Sequence, residues 1–89
     1  MAGKMKSKMR NLLTWEEVIK MMEVRGWNLV RNEPRKKEWA RGNEKVRTFR
    51  TFEKQWKTEY FMGRRLQDST GESDEFFAKV ITLELAAFK

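Results

Sequence analysis

The chain contains no cysteine and no histidine. Without cysteine there is no disulfide framework and no thiolate metal site, and a reducing, cytoplasmic setting fits. Without histidine or a thiol, the usual general base and nucleophile near neutral pH are missing. Proline occurs once, at Pro34, and the five glycines are scattered, so no glycine-rich phosphate loop is present. No apolar run approaches the length of a membrane span. The basic residues near the N-terminus are not followed by an apolar stretch, so no secretory signal is expected there.

What is present in excess is positive charge. The 89 residues carry 20 Lys and Arg against 13 Asp and Glu, a formal net charge of +7. The length suits one domain with a modest core. Apolar residues make up 39% of the chain, with four Trp and six Phe, enough to build that core. The basic excess favours a polyanionic partner: nucleic acid, an acidic protein surface or an anionic membrane face. The charge is unevenly placed. Residues 31–65 hold twelve Lys and Arg against five acids, and residues 1–10 hold Lys4, Lys6, Lys8 and Arg10 with no acid. The segments 11–30 and 66–89 are both net acidic.

Residues 1–11 read as a flexible basic arm and 12–89 as a single α+β domain. Thr14-Trp15-Glu16-Glu17 fits a capping box, with Leu13 and Val18 as the hydrophobic staple. Trp15, Val18, Ile19 and Met22 recur at helical spacing. Gly26 is placed to end the helix in a left-handed conformation, with Trp27 folding back on Met22. The expected helix covers about 14–25. An antiparallel meander follows, with strands over Trp27–Asn32, Lys36–Arg41, Lys45–Phe52 and Trp56–Met62. The turns are Asn32-Glu33-Pro34-Arg35 and a two-residue Gly42-Asn43 hairpin. Trp56, Thr58, Tyr60 and Met62 should share one face by period-2 alternation. Gln67 to Ser73 reads as a polar loop. The last segment, 73–88, reads as a helix capped by Ser73, with a fifth strand through Ile81, Leu83 and Leu85 as the alternative. If helical, its apolar arc exceeds what one sheet face covers, so the rest should meet the first helix or a second copy of the chain, a homodimer. The fold class is therefore α+β: an N-terminal helix, a three- to four-stranded antiparallel sheet and a C-terminal helix.

For catalysis, the acids Glu33, Glu38, Glu44, Glu53 and Glu59 mostly neighbour Lys or Arg, the pattern of a solvated sheet face. No Asp precedes Gln55-Trp56-Lys57 at the spacing a metal nuclease needs. No enzyme activity, cofactor or metal is expected. For binding, basic residues interleave with aromatics. Lys37, Trp39 and Arg41 share one face of the second strand, and Arg47, Phe49 and Thr51 share one face of the third. Such a sheet stacks bases and neutralises phosphates, although most of these rings must also build the core. The candidate nucleic-acid-binding residues are Lys4, Lys6, Lys8 and Arg10 of the arm, Arg31, Lys37, Trp39, Arg41, Lys45, Arg47, Arg50 and Lys57 of the strands, and Arg64 and Arg65 after Gly63. The strand residues are expected to collect on one side of the molecule.

The stretch Glu17 to Arg31, with Gly26-Trp27-Asn28-Leu29-Val30-Arg31, resembles the helix-to-first-strand passage of the HicA-type RNA-interfering toxins. Their order of helix, three strands and helix is shared by double-stranded-RNA-binding domains. The Ser-His signature of the first family has no counterpart here, and the Lys-Lys-x-Ala-Lys segment of the second is missing from 73–88. The resemblance implies an architecture and no activity. The expected function is non-enzymatic nucleic-acid binding. The rival is a small interaction protein of the phage or mobile-element kind, an anti-CRISPR-like inhibitor that docks on a nucleoprotein complex and inhibits or adapts it. No membrane partner is expected, because no helix here is both basic and strongly amphipathic.

Overall fold

The computed structural model describes residues 13–87. The arm with Lys4, Lys6, Lys8 and Arg10 lies outside the described residues, as does Phe88. The elements run α1 (Trp15–Val24), β1 (Asn28–Glu33), β2 (Lys36–Arg41), β3 (Glu44–Arg50), β4 (Trp56–Met62), β5 (Arg65–Ser69) and α2 (Glu75–Ala87). Among the described residues no helix is long and apolar enough to cross a membrane.

Helix α1 starts at the expected capping box. The Glu17 N–H donates to the Thr14 hydroxyl at 3.2 Å, and the Thr14 N–H donates to Glu17 Oε1 at 3.1 Å. It stops at Gly26, whose φ of +88° an L side chain adopts only with strain. The Trp27 N–H then reaches back to the Met22 carbonyl and the Gly26 N–H to that of Glu23, both at 2.9 Å. Trp27 and Met22 are both buried in the core, as the spacing predicts.

The strands form one antiparallel sheet in the order β1-β2-β3-β4-β5. Gly42-Asn43 links β2 to β3 and Gly63-Arg64 links β4 to β5, with Gly42 and Gly63 at φ +57° and +62°. Three expectations are corrected. The polar stretch after Met62 holds a fifth strand, β5, rather than being wholly loop. The third strand ends at Arg50, and Phe52 sits in a tight loop beyond it. The C-terminal segment is a helix, capped by Asp74 rather than Ser73: the Phe77 N–H donates to Asp74 Oδ1 at 2.7 Å. Its buried positions are Ala78, Thr82 and Ala86, four residues apart. That spacing is one stripe of a helix and not the alternation of a strand.

Both helices lie on the same side of the sheet, α1 against β1 and α2 against β3, β4 and α1. The core between the layers holds Val18, Met22, Trp27, Trp39, Val46, Tyr60 and Ala86. Trp56, Thr58 and Tyr60 share this inner face, as their alternation predicts, and Thr48 and Thr58 bond to each other there at 3.0 Å. Trp15 joins the two helices. Its indole N–H donates to Glu75 at 2.7 Å, and its ring leans on Trp56 with centroids 5.3 Å apart. Among the described residues the other side of the sheet carries no helix, so they form two layers with one uncovered face.

Candidate nucleic-acid interface

On the uncovered face the strand pairing brings three rows together. Arg47 of β3 stands between Glu38 of β2 and Glu59 of β4, and Phe49 stands between Lys36 and Lys57. Lys45 stands between Ala40 and Phe61. The Arg47 guanidinium lies 5.6 Å from the Phe49 ring centre and 5.1 Å from that of Phe61. It is held in that layer by Glu59, which accepts from its Nε at 2.9 Å and also from Nη2. A guanidinium over two rings makes a mixed cation–aromatic shelf, the kind of surface on which a base stacks.

Carboxylates neutralise part of this face. Arg31 pairs with Glu33 at 2.7 Å, Lys36 with Glu38 at 3.4 Å, and Arg47 with Glu59. Among the described residues, Lys45 and Lys57 have no carboxylate within 4.0 Å.

At one end of the sheet Arg35, Arg50 and Lys54 come together with no carboxylate within 4.0 Å among the described residues. There the β1–β2 turn lies beside the end of β3, and the Arg50 N–H donates to the Arg35 carbonyl at 2.8 Å. The loop from Thr51 to Gln55 is closed by the Thr51 N–H on the Gln55 carbonyl at 2.7 Å and the Lys54 N–H on the Thr51 carbonyl at 3.1 Å. Lys54 takes φ +62°, the only non-glycine residue with positive φ among the described residues. A cleft of about 670 Å³ opens here, lined by Arg35, Phe49, Arg50, Thr51, Phe52 and Lys54. A second hollow shares Arg35, Phe49 and Arg50 and continues onto the uncovered face along Lys36 and Arg47.

The structure separates the residues that the sequence reading put together. Arg31, Lys45, Arg47 and Lys57 lie on the uncovered face, and Arg50 is exposed at the cleft. Lys37, Trp39 and Arg41 are corrections, because they point to the helix side. Trp39 is fully buried and has no surface to offer a base. Lys37 is also buried, donating to Asn32 Oδ1 at 3.0 Å and to the Glu33 carbonyl at 2.7 Å. Burial holds its ammonium below the usual lysine pKa, against the opposing pull of Glu75. Arg41 is spent on structure, stacked 4.5 Å over Trp27 and bonded to Glu44 and to the Arg25 carbonyl. Arg64 and Arg65 are exposed at the opposite end of the sheet, beside the Gly42-Asn43 turn. The positive charge is therefore not gathered on one side.

Arg35, Phe52, Lys54 and Phe61 were missed as site residues. Arg35 reads in sequence as a turn residue and Phe52 as the end of a strand. The available signal was the polar run Glu53-Lys54-Gln55, which interrupts the apolar pattern between Phe52 and Trp56. Among the described residues no group of three acids converges as a metal site. No protein-family model, curated protein or solved structure matches this chain.

Proposed function

We propose that this chain is a non-enzymatic nucleic-acid-binding domain that lays a polyanion across the uncovered face of its sheet. The observation that carries this reading is the Arg47 shelf between Phe49 and Phe61, continuous with the cation-lined cleft at the sheet end. Rings among cations supply stacking, and cations without carboxylate partners displace counterions from phosphates. Such contacts position a strand without reading its sequence, so sequence preference is weak. The test is fluorescence anisotropy with labelled single- and double-stranded DNA and RNA across a salt series. Binding is expected to fall steeply with salt. Replacing Arg47 and Arg50 together with Ala is expected to weaken it about equally for all sequences and to flatten the log–log salt slope by about one to two. No binding to any of the four at low salt overturns the reading.

One observation favours a second reading. Glu33, Glu38 and Glu59 share the uncovered face with the cations. A mixed-charge, ring-bearing surface also suits a protein partner, in which case the chain docks on a nucleoprotein complex and inhibits or adapts it. Association of that kind falls less with salt and survives nuclease treatment of a pull-down.

A further inference from the structure

On the uncovered face Arg31, Lys36 and Arg47 each have a carboxylate within ion-pair distance, and among the described residues Lys45 and Lys57 have none. At the sheet end Arg35, Arg50 and Lys54 have none within 4.0 Å among the described residues. The one acid of the loop, Glu53, is not among the residues that line the cleft. Two apolar rings stand beside these charges. Phe49 is half-buried against Arg47, whereas Phe52 is wholly exposed, at 105% of its reference area. Among the described residues Phe52 packs on nothing that would explain a phenylalanine there. Lys54 is equally unforced by the fold. Its φ of +62° suits Gly or Asn, and the chain keeps a long ammonium at that strained position.

We propose that this cleft is a subsite for one unpaired nucleotide of a single strand, with the base against Phe52 and Phe49 and its phosphate held by Arg35, Arg50 and Lys54. The proposal rests on the nucleic-acid reading above and adds strandedness to it. A volume of about 670 Å³ lies within the range of sites that take small molecules. Three cations around two rings match the two halves of a nucleotide, an anionic phosphate and an aromatic base. An acidic peptide would use the cations and leave Phe52 in water. In a duplex, base faces are covered by their neighbours in the stack, so a ring at a hairpin tip meets a free base face only on an unpaired strand. The Arg47 shelf then continues the path, through the hollow that the two regions share.

The experiment is anisotropy on the full chain with four probes: a single strand of about ten nucleotides, its duplex, the same strand carrying abasic residues, and polyglutamate of matched charge. The single strand is expected to bind more tightly than the other three. Phe52→Ala should lower single-strand affinity on the order of 10-fold and shrink the preference over duplex. Because Phe52 is fully exposed the variant folds, and Phe52→Trp should restore binding. Arg35→Ala with Arg50→Ala should weaken binding and flatten the salt slope. Duplex or abasic strand binding as tightly as the intact single strand overturns the subsite, as does polyglutamate binding equally well or Phe52→Ala without effect. Those results leave a general polyanion-binding face standing. No binding of any nucleic acid probe removes the broader reading and the subsite with it.

Discussion

Lys36 and Lys37 are neighbours in sequence and lie on opposite faces of β2. Lys37 is 5% exposed and donates to Asn32 and to the Glu33 carbonyl, with its ammonium 5.4 Å from the Trp15 ring. Lys36 reaches solvent and meets Glu38 at 3.4 Å. The rings divide in the same way: Trp39 is fully buried under the helices, and Phe49 and Phe61 lie half-exposed beside Arg47. The same residue types thus serve folding on one face and remain available on the other. A cation under the helices loses its hydration and must be repaid in hydrogen bonds. A cation on the uncovered face keeps its water and can exchange it for a ligand.

The sharpest way to break this comparison is to truncate one ring from each face. Trp39→Ala empties a fully buried site and is expected to cost about 3–5 kcal/mol. Phe49→Ala removes a ring that is only partly buried and is expected to cost less than half as much. Urea denaturation of the two variants, with slopes compared, checks this. Equal losses would mean that something covers the second face in solution, a second copy of the chain being the first candidate.

A smaller effect tests the chemistry of the covered face. Burial, with the hydrogen bond that the Tyr60 hydroxyl donates to Glu44 at 2.8 Å, pushes the phenol from 10.0 up to about 12. A folded pKa above the unfolded one gives stability that is complete below pH 10 and is lost as pH rises toward about 12. The stability difference between the parent and Tyr60→Phe should therefore shrink across that window, as read from thermal melts at stepped pH. Lys37 works in the opposite sense. Its pKa lies below 10.5 in the folded state, so the unfolded chain holds the proton longer, and stability gains as pH rises through the range just below that value. A difference for Tyr60→Phe that does not change with pH would mean the phenol is hydrated in solution.

The parts that were legible in the sequence are those that carry their own local chemistry. Helix α1 announces itself through Thr14, Glu17 and Gly26, and β2 to β4 through alternating apolar residues around Gly42-Asn43. Strand β5 does not, because all five residues from Arg65 to Ser69 are exposed and only Leu66 is apolar. It exists because the Gly63-Arg64 turn returns the chain along β4, a pairing that leaves no periodic trace in the strand's own residues. Alternation also says which residues share a face without saying which face the helices cover. That is why Lys37, Trp39 and Arg41 were read together correctly and assigned to the wrong side. The cleft was hidden for a third reason. The loop from Thr51 to Gln55 contains no Gly, Pro or Asn, the residues by which a tight turn is recognised.

The smallest effect concerns that loop, and it joins the two halves of the comparison. Lys54 is strained in the folded state because its side chain adopts φ +62°. Glycine there relieves about 1–2 kcal/mol of strain and gives back roughly 0.5–1 kcal/mol through the greater freedom of the unfolded chain. Lys54→Gly is therefore expected to stabilise the domain by a few tenths of a kcal/mol to about 1 kcal/mol. The same change removes one of the three cations at the cleft, so single-strand binding should weaken and the salt slope should flatten by about one. Stability and binding then move in opposite directions in one variant, as expected where a strained residue is kept for a contact and not for the fold. Thermal melts and anisotropy on the same preparation decide it. A variant that is more stable and binds as tightly as the parent would show that the Lys54 ammonium does not meet the ligand, leaving Arg35 and Arg50 as the cations of the cleft.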